Sequence, residues 1–440
     1  MKKVLIIVYY WPPSGGGGVQ RWLKFCNLLP ENGWQPIVYV PEDPDYPLLD
    51  ESLEAEVSEQ VQVIKRPIWE PRKLYSRFLG KKKETSDAKG PSADEVFYHE
   101  ASERSWKQNL ALWIRGNFFI PDARAPWIQP SIKYLSQYLK ENPVDAIVTS
   151  GPPHSLHLIG RGLKKRLAVP WIADFRDAWT EIEFFEKLML SKWANRRHHK
   201  LERAVLAEAD ISLVTADYWP ELYAKRGARR VEVLLNGYDE NDFPTPRPST
   251  AEAFIISHVG TLAFDRNPMA LWEALSELCD ESEAFSKLLR IHFAGKTDSM
   301  VKESINKLGM GDKMKDYGYI SHEEAVMMMC TSPLLLLLIN KSEQNAMGRV
   351  PGKVFEYMAA IRPILCLGPE DSSISRILTQ AQAGTCIPYQ EKERLKREIK
   401  SQFDDFQQGK DSLHPTAIEQ YSRQSLTRKL SGFLGEITSV

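Results

Sequence analysis

Lys3-Val4-Leu5-Ile6-Ile7-Val8-Tyr9-Tyr10, followed by Trp11-Pro12-Pro13-Ser14 and Gly15-Gly16-Gly17-Gly18, is the stretch that decides how the chain folds. An unbroken apolar run bounded by turn residues predicts a strand buried on both faces of a parallel sheet. Trp22, Phe25, Leu28 and Leu29 then recur at helical spacing. Strand, glycine loop and helix in that order form the geometry with which open α/β sheets approach a phosphate. Glycine allows a ligand close to the backbone and tolerates positive φ. Neither G-x-G-x-x-G nor a Gly-Lys-Ser/Thr ending is present, so the loop is not a dinucleotide fingerprint or a P-loop.

Strand-then-helix alternation continues outward from this start. Strands are expected at Val4–Tyr10, Pro36–Val40, Val61–Ile64, Ala146–Thr149, Trp171–Ala173 and Ile211–Thr215. A second set is expected at Ile255–Val259, Leu289–Ala294, Lys315–Tyr317, Leu334–Ile339, Pro363–Leu367 and Gly384–Ile387. The pattern predicts an α/β protein of two doubly wound parallel-sheet domains, 1–243 and 250–413. Between them, Asn241–Ser249 contains Phe243-Pro244-Thr245-Pro246-Arg247-Pro248, of linker composition. Residues 80–109 break the alternation with Lys81-Lys82-Lys83 and a Ser/Asp/Lys/Gly/Pro-rich run, as a mobile insertion would. Arg72–Leu79 mixes basic and apolar residues at helical spacing, either as a half-buried helix or as one lying on an anionic membrane surface. Residues 414–440 are expected to be a terminal helix, with Ile418, Tyr421, Leu426, Leu430, Phe433 and Leu434 on its apolar side.

Composition narrows the class. Apolar residues make up 43% and charged residues 26% of 440 residues, which describes a globular protein large enough for two cores. A net charge of −1 gives no electrostatic footprint for nucleic acid. Five cysteines without a C-x-x-C argue against a disulfide framework or a metal site, and favour a reducing, cytoplasmic compartment. The apolar start runs straight into Trp-Pro-Pro and glycines, so it reads as a strand and not as a signal peptide.

A second informative segment is Gly352-Lys353-Val354-Phe355-Glu356-Tyr357-Met358-Ala359-Ala360, closed by Arg362-Pro363-Ile364-Leu365. It reads as a helix opened by a Pro-Gly turn and followed by a buried strand. Lys353 and Glu356 are three apart, so they share a face of the first turn. A helix start and a lysine suit a phosphate, and a carboxylate can accept two ribose hydroxyls. A solvated Lys–Glu pair on a capped surface helix is the plainer alternative.

With both segments in place, the chain resembles the GT-B glycosyltransferases, in particular their retaining, family-four-like branch. The resemblance spans nearly the whole length. It rests on the glycine loop, Gly151-Pro152-Pro153-His154-Ser155, Ala173-Asp174-Phe175-Arg176-Asp177-Ala178-Trp179, Leu235-Asn236-Gly237, His258-Val259-Gly260-Thr261-Leu262 and the Lys353–Glu356 helix. It implies two Rossmann-like domains facing across a cleft, the first on the acceptor side and the second holding the nucleotide-sugar donor. It also implies a terminal helix crossing back to the first domain.

The resemblance also assigns residues. Without a metal or cofactor, fixed positive charge must meet the departing diphosphate; Arg266 and Lys353 are the candidates. Family members often carry an arginine directly after the glycine that stands here as Gly260, and a lysine five residues later. Here those positions are Thr261 and Arg266. Glu356 matches the ribose-binding glutamate of an E-x7-E pattern whose first glutamate would fall at Gly348. Gly15, Gly16, Gly17, Gly18, Gly260, Thr261, Gly295, Tyr319, Ile320 and Gly352 are expected along the donor. His154, with His157 as competitor, is expected against the donor sugar. Asp174, with Arg176 and Asp177 beside it, is either an acceptor-side carboxylate or half of an internal Arg–Asp pair.

The expected activity is transfer of a sugar from a UDP-linked donor to a glycan or lipid-linked acceptor, with retention implied only by the resemblance. The alternatives are a nucleotide-sugar epimerase on the same fold and a degenerate binding subunit of a polysaccharide assembly complex. Peripheral contact with the inner face of the cell membrane would accompany a lipid-linked acceptor.

Overall fold

A computed structural model describes residues 1–70, 106–182, 185, 188–245, 252–339, 346–410 and 415–439. Arg72–Leu79, nearly all of the 80–109 segment, Glu343 and the end of the Pro/Thr-rich linker lie outside them.

The chain forms two compact units, Met1–Leu234 with Leu426–Val440, and Leu235–Ser425. The first is built on β1 (Lys2–Ile7), β2 (Trp34–Glu42), β3 (Gln62–Pro67), β4 (Ala146–Gly151), β5 (Trp171–Phe175), β6 (Ile211–Val214) and β7 (Val231–Val233). All pairings are parallel, in the order β3-β2-β1-β4-β5-β6-β7. Val4 to Ile7 are fully buried, as a strand covered on both faces requires. The seventh strand, β7, was not expected from sequence: it has three half-buried residues at the sheet edge and no apolar run to announce it.

The second unit carries β8 (Phe254–Val259), β9 (Leu289–Ala294), β10 (Met314–Asp316), β11 (Leu334–Leu338), β12 (Ile364–Leu367) and β13 (Gly384–Ile387). These too are all parallel, ordered β10-β9-β8-β11-β12-β13. In each sheet the winding reverses beside the unit's first strand, between β1 and β4 and between β8 and β11. Ligands of such sheets bind outside the carboxyl ends of the strands at that reversal.

The helices that carry site or surface side chains are α1 (Gly17–Leu28), α2 (Trp106–Phe118), α3 (Ser155–Leu167), α4 (Lys192–Glu208), α5 (Lys353–Ala359) and α6 (Arg423–Ile437). The division between the units falls at Leu234/Leu235, ahead of the Pro-rich stretch. The cause is local: Tyr238 donates its N–H to Tyr421 O and accepts from Arg423 N–H, while Phe243 is buried, which binds 235–243 into the second unit. Beyond Ser425 the chain returns to the first unit, where Ser431 Oγ donates to Asn32 O and Arg230 pairs with Glu436.

Candidate functional site

In the second unit, the β8–β11 ladder has only two register pairs, Leu334↔Ile256 and Leu335↔Ser257. Past them the strands part, and side chains take over from the backbone. His258 Nδ1 bonds Leu336 O at 3.0 Å, and Val259 N–H donates to Tyr357 Oη at 2.9 Å. A carbonyl only accepts, so Nδ1 carries the proton of a neutral His258 and Nε2 is left as a bare acceptor. Burial pushes the His258 pKa down to about 4, with Arg266 and Lys353 acting in the same direction against the Leu336 and Thr261 backbone.

The loops after β8, β9 and β10 stack on one another. Gly260 N–H donates to Ala294 O, and Gly295 N–H to Gly318 O. A Cβ on Gly295 would lie 2.4 Å from Gly260 O, and both glycines hold positive φ, 140° at Gly260 and 119° at Gly295. The layer therefore requires glycine at 295 for close approach and at both for conformation. Thr261 projects from it exposed, and Arg266 folds back so that its Nη2 donates to Thr261 O at 2.8 Å. A guanidinium from five residues on is thus held at the backbone of residue 261.

α5 buries Val354, Phe355, Tyr357 and Met358, leaving Lys353 and Glu356 facing outward. Their Nζ–Oε2 distance is 3.2 Å, an ion-pair contact without hydrogen-bond alignment, so Glu356 Oε2 makes no hydrogen bond. Both remain partly accessible, 35% and 25%, which is what a ligand-facing pair needs. Gly352 has ordinary helical φ, and a Cβ there would rest 3.8 Å from Asn236 Cβ. Tyr319 is exposed and Ile320 half-buried, just before the capped helix His322–Thr331. His322, which the sequence did not single out, bonds Asp242 at 3.0 Å, and that bond raises its pKa; Glu356 and Lys353 also act on it.

In the first unit, the glycine loop after β1 is tied down at Gly15 N–H to Leu48 O and at Asp50 N–H to Pro13 O. A Cβ on Gly15 would strike the Leu48 side chain, and Gly16 caps α1 at φ 90°. Gly17 opens the helix. At Gly18 a Cβ would lie 2.7 Å from Arg176 Nη1, the nitrogen that donates to Gly18 O at 3.0 Å.

Asp174, at the end of β5, is fully buried. Its carboxylate accepts from Arg21 Nη2 at 2.8 Å, Arg21 Nε at 3.1 Å, Trp22 Nε1 at 2.9 Å and Ser150 Oγ at 2.7 Å. Burial alone would raise its pKa; Arg21, Ser150 and Trp22 outweigh that and hold it below the ordinary carboxylate range. This corrects the acceptor-base alternative: a carboxylate without exposed surface cannot reach a substrate hydroxyl. The pair is internal, with Arg21 of α1 as the partner that sequence reading missed. An arginine between Val19 and Trp22 on an apolar helix face was the available signal. Asp177 is the loop's exposed carboxylate, 3.6 Å from Arg176 Nε.

His154 precedes α3 and lies flat against Trp179, with ring centroids 5.0 Å apart and planes 2° from parallel. Burial and the neighbouring His157, Arg176 and His198 hold its pKa well below the usual value, with the Ala178 backbone opposing. Neither of its ring nitrogens makes a hydrogen bond of normal geometry. His157, by contrast, bonds Thr149 Oγ1 at 2.9 Å and is fully buried, which makes it structural. A Cβ on Gly151 would come within 2.7 Å of His157 Nε2 and 2.8 Å of His154 Nδ1, so glycine there makes room for both rings.

Residues 96–238 match the model of the glycosyl transferase 4-like domain. No curated protein sequence matches the chain significantly. Among solved structures it is similar to a glycosyltransferase from Rickettsia africae, at 14% identity and TM-score 0.62, over 99% of this chain and 98% of that one. Anabaena HepE in complex with UDP-glucose matches at 12% identity and TM-score 0.54, over 100% and 98%. A putative UDP-N-acetylglucosamine 2-epimerase from Listeria monocytogenes matches at 11% and 0.55, over 100% and 97%. The chain as a whole has the GT-B fold, and its residues 96–238 are similar to the glycosyl transferase 4-like domain.

Proposed function

We propose that the protein transfers a sugar from a nucleoside diphosphate donor, UDP-linked, to a glycan or lipid-linked acceptor. The observation that carries this reading is the arrangement in the second unit. Arg266 is drawn back to the Thr261 carbonyl, and Arg266 and Lys353 both act on His258 at the end of β8. Glu356 Oε2 is ion-paired with Lys353 at 3.2 Å and makes no hydrogen bond. Two cations next to a carboxylate match a diphosphate next to a ribose.

In this reading the cations stabilise charge that grows on the diphosphate as the glycosidic bond breaks, with no metal required. Glu356 accepts the ribose hydroxyls. The Gly260 and Gly295 backbone lets the donor approach, and Tyr319 and Ile320 offer backbone atoms to the base. His154, buried against Trp179, is the histidine that the resemblance assigns to the donor sugar. Retention of configuration remains part of the proposal, as does a cytoplasmic location.

Calorimetric titration with UDP, GDP and ADP, alongside Glu356→Ala, tests it. Binding of one nucleotide that is lost in the variant supports the donor site and identifies the base. No binding by folded protein would remove it. Donor turnover then separates a transferase from a binding subunit, and the released sugar separates it from an epimerase.

A further inference from the structure

β12 and β13 carry two thiols in register. Cys366 and Cys386 are partners in the parallel ladder, two residues beyond the Ile364↔Gly384 pair and on the same face of the sheet. Their Sγ atoms are 3.6 Å apart, in contact but unbonded. A Cβ on Gly384 would lie 2.0 Å from Ile364 O, so glycine there lets β13 run close against β12 just ahead of the cysteines. Neighbouring strands stand ~4.8 Å apart, inside the ~4.4–6.8 Å Cα separation that a disulfide spans. The backbone is therefore already at bonding separation, and a bond requires the two sulfurs to close.

The two thiols differ in their surroundings. Cys366 is fully buried, whereas Cys386 is 6% exposed and borders a hollow with Glu370, Ser375, Thr379, Arg394 and Gln402. Cys386 Sγ also lies 3.6 Å from Pro369 O. Contact with Cys366 lowers the Cys386 pKa; Ser375 and Ser372 act in the same direction, against burial and Glu370. The same contact, together with burial, pushes the Cys366 thiol up. The thiolate is the nucleophile of sulfur chemistry. Cys386 is thus the attacking sulfur and Cys366 the resolving one.

We propose that Cys366 and Cys386 form a dithiol–disulfide couple that responds to hydrogen peroxide. Cys386 Sγ attacks one peroxide oxygen, the O–O bond breaks, and the other oxygen leaves as water, which makes Cys386 a sulfenic acid. Cys366 Sγ then attacks Cys386 Sγ; the S–S bond forms, the S–O bond breaks, and the hydroxyl leaves as water with the Cys366 proton. Both thiols are oxidised and one peroxide is reduced to water. A thiol reductant restores the pair by exchange. The cross-link also acts at a distance. It draws Cys386 Sγ away from Pro369 O, and that loop leads to Ser373, whose N–H donates to Met347 O at 2.9 Å. Met347 lies ahead of Gly348 and of α5, which carries Lys353 and Glu356. This effect on nucleotide binding rests on the proposed donor site, whereas the couple itself does not.

The test is to treat the reduced full chain with hydrogen peroxide, block free thiols with N-ethylmaleimide in denaturant, and map the peptides by mass spectrometry. The expected result is a cross-linked Cys366–Cys386 peptide that dithiothreitol separates. Cys366→Ala should instead accumulate sulfenic acid at Cys386, trapped by dimedone, and Cys386→Ala should leave Cys366 unoxidised. Cys279→Ala, which spares the pair, should change nothing. In calorimetry, oxidation should weaken UDP binding at least about fivefold, and not in Cys366→Ala. Peroxide that leaves both thiols free, or stops at Cys386 oxyacids in the unsubstituted chain, overturns the couple. A cross-link with unchanged UDP affinity overturns its action on the donor side. Reduced protein that binds no nucleotide removes the donor site, and the peptide map still decides the couple.

Discussion

Tyr357 Oη accepts the Val259 N–H at 2.9 Å at the point where β8 and β11 cease to pair. A side chain from α5 thus completes the backbone of the strand that leads into Gly260 and Thr261. Tyr357→Phe removes the acceptor and leaves a buried N–H unsatisfied, at a cost of about 1–3 kcal/mol. The expected outcome is a lower urea midpoint together with weaker nucleotide binding, measured by denaturation and calorimetry on the same samples. Unchanged nucleotide affinity in a destabilised variant would separate this bond from the donor loop.

Arg21 and Asp174 form a buried ion pair with both side chains inaccessible. Removing one partner strands a buried charge, so Asp174→Ala should cost about 3–5 kcal/mol. Arg21→Met combined with Asp174→Leu should recover much of that loss, since an apolar pair leaves no unpaired charge. Chemical denaturation of both variants checks it. A stable Asp174→Ala protein with only its turnover reduced would contradict the structural role.

What was legible depended on how local the signal is. Leu334 to Ile339 announces a central strand because burial on both faces demands an apolar run, and it forms one. Val231–Val233 has no such demand at the sheet edge and leaves no run to read. The Arg21–Asp174 contact joins residues 153 positions apart, a pairing that no spacing rule can reach. Along the chain Thr261 carries no charge where the resemblance implies one. Only the bend between 261 and 266 reveals that the Arg266 guanidinium reaches the Thr261 carbonyl.

Two glycines assigned to the donor site should respond differently to alanine. At Gly295 a Cβ would meet the Gly260 carbonyl at 2.4 Å, and φ is 119°. Backbone cannot move aside as a side-chain tip can, so Gly295→Ala should destabilise the second unit and displace the Gly260 loop. At Gly352 φ is −55° and the nearest atom is 3.8 Å away. Gly352→Ala should leave stability within about 0.5 kcal/mol of the parent, as surface substitutions usually do. Melting curves and nucleotide titration of the two variants test the contrast.

Acid should weaken the fold through buried imidazoles. Burial lowers the pKa of His157 to about 3 and of His198 and His258 to about 4, and holds His154 well below its ordinary value. Unfolded, each would titrate near ~6.5. Between those values the unfolded chain binds protons that the folded chain refuses, so stability rises with pH. The stabilisation is complete above the unfolded value, declines as pH falls through it, and continues to decline toward pH 4. Each histidine contributes up to about 1.4 kcal/mol per pH unit in that window. Urea midpoints recorded from pH 7.5 down to about 4.5 should fall, and His157→Gln should flatten the slope by about one proton. A midpoint independent of pH in this range would mean that these rings are open to protonation in the native state.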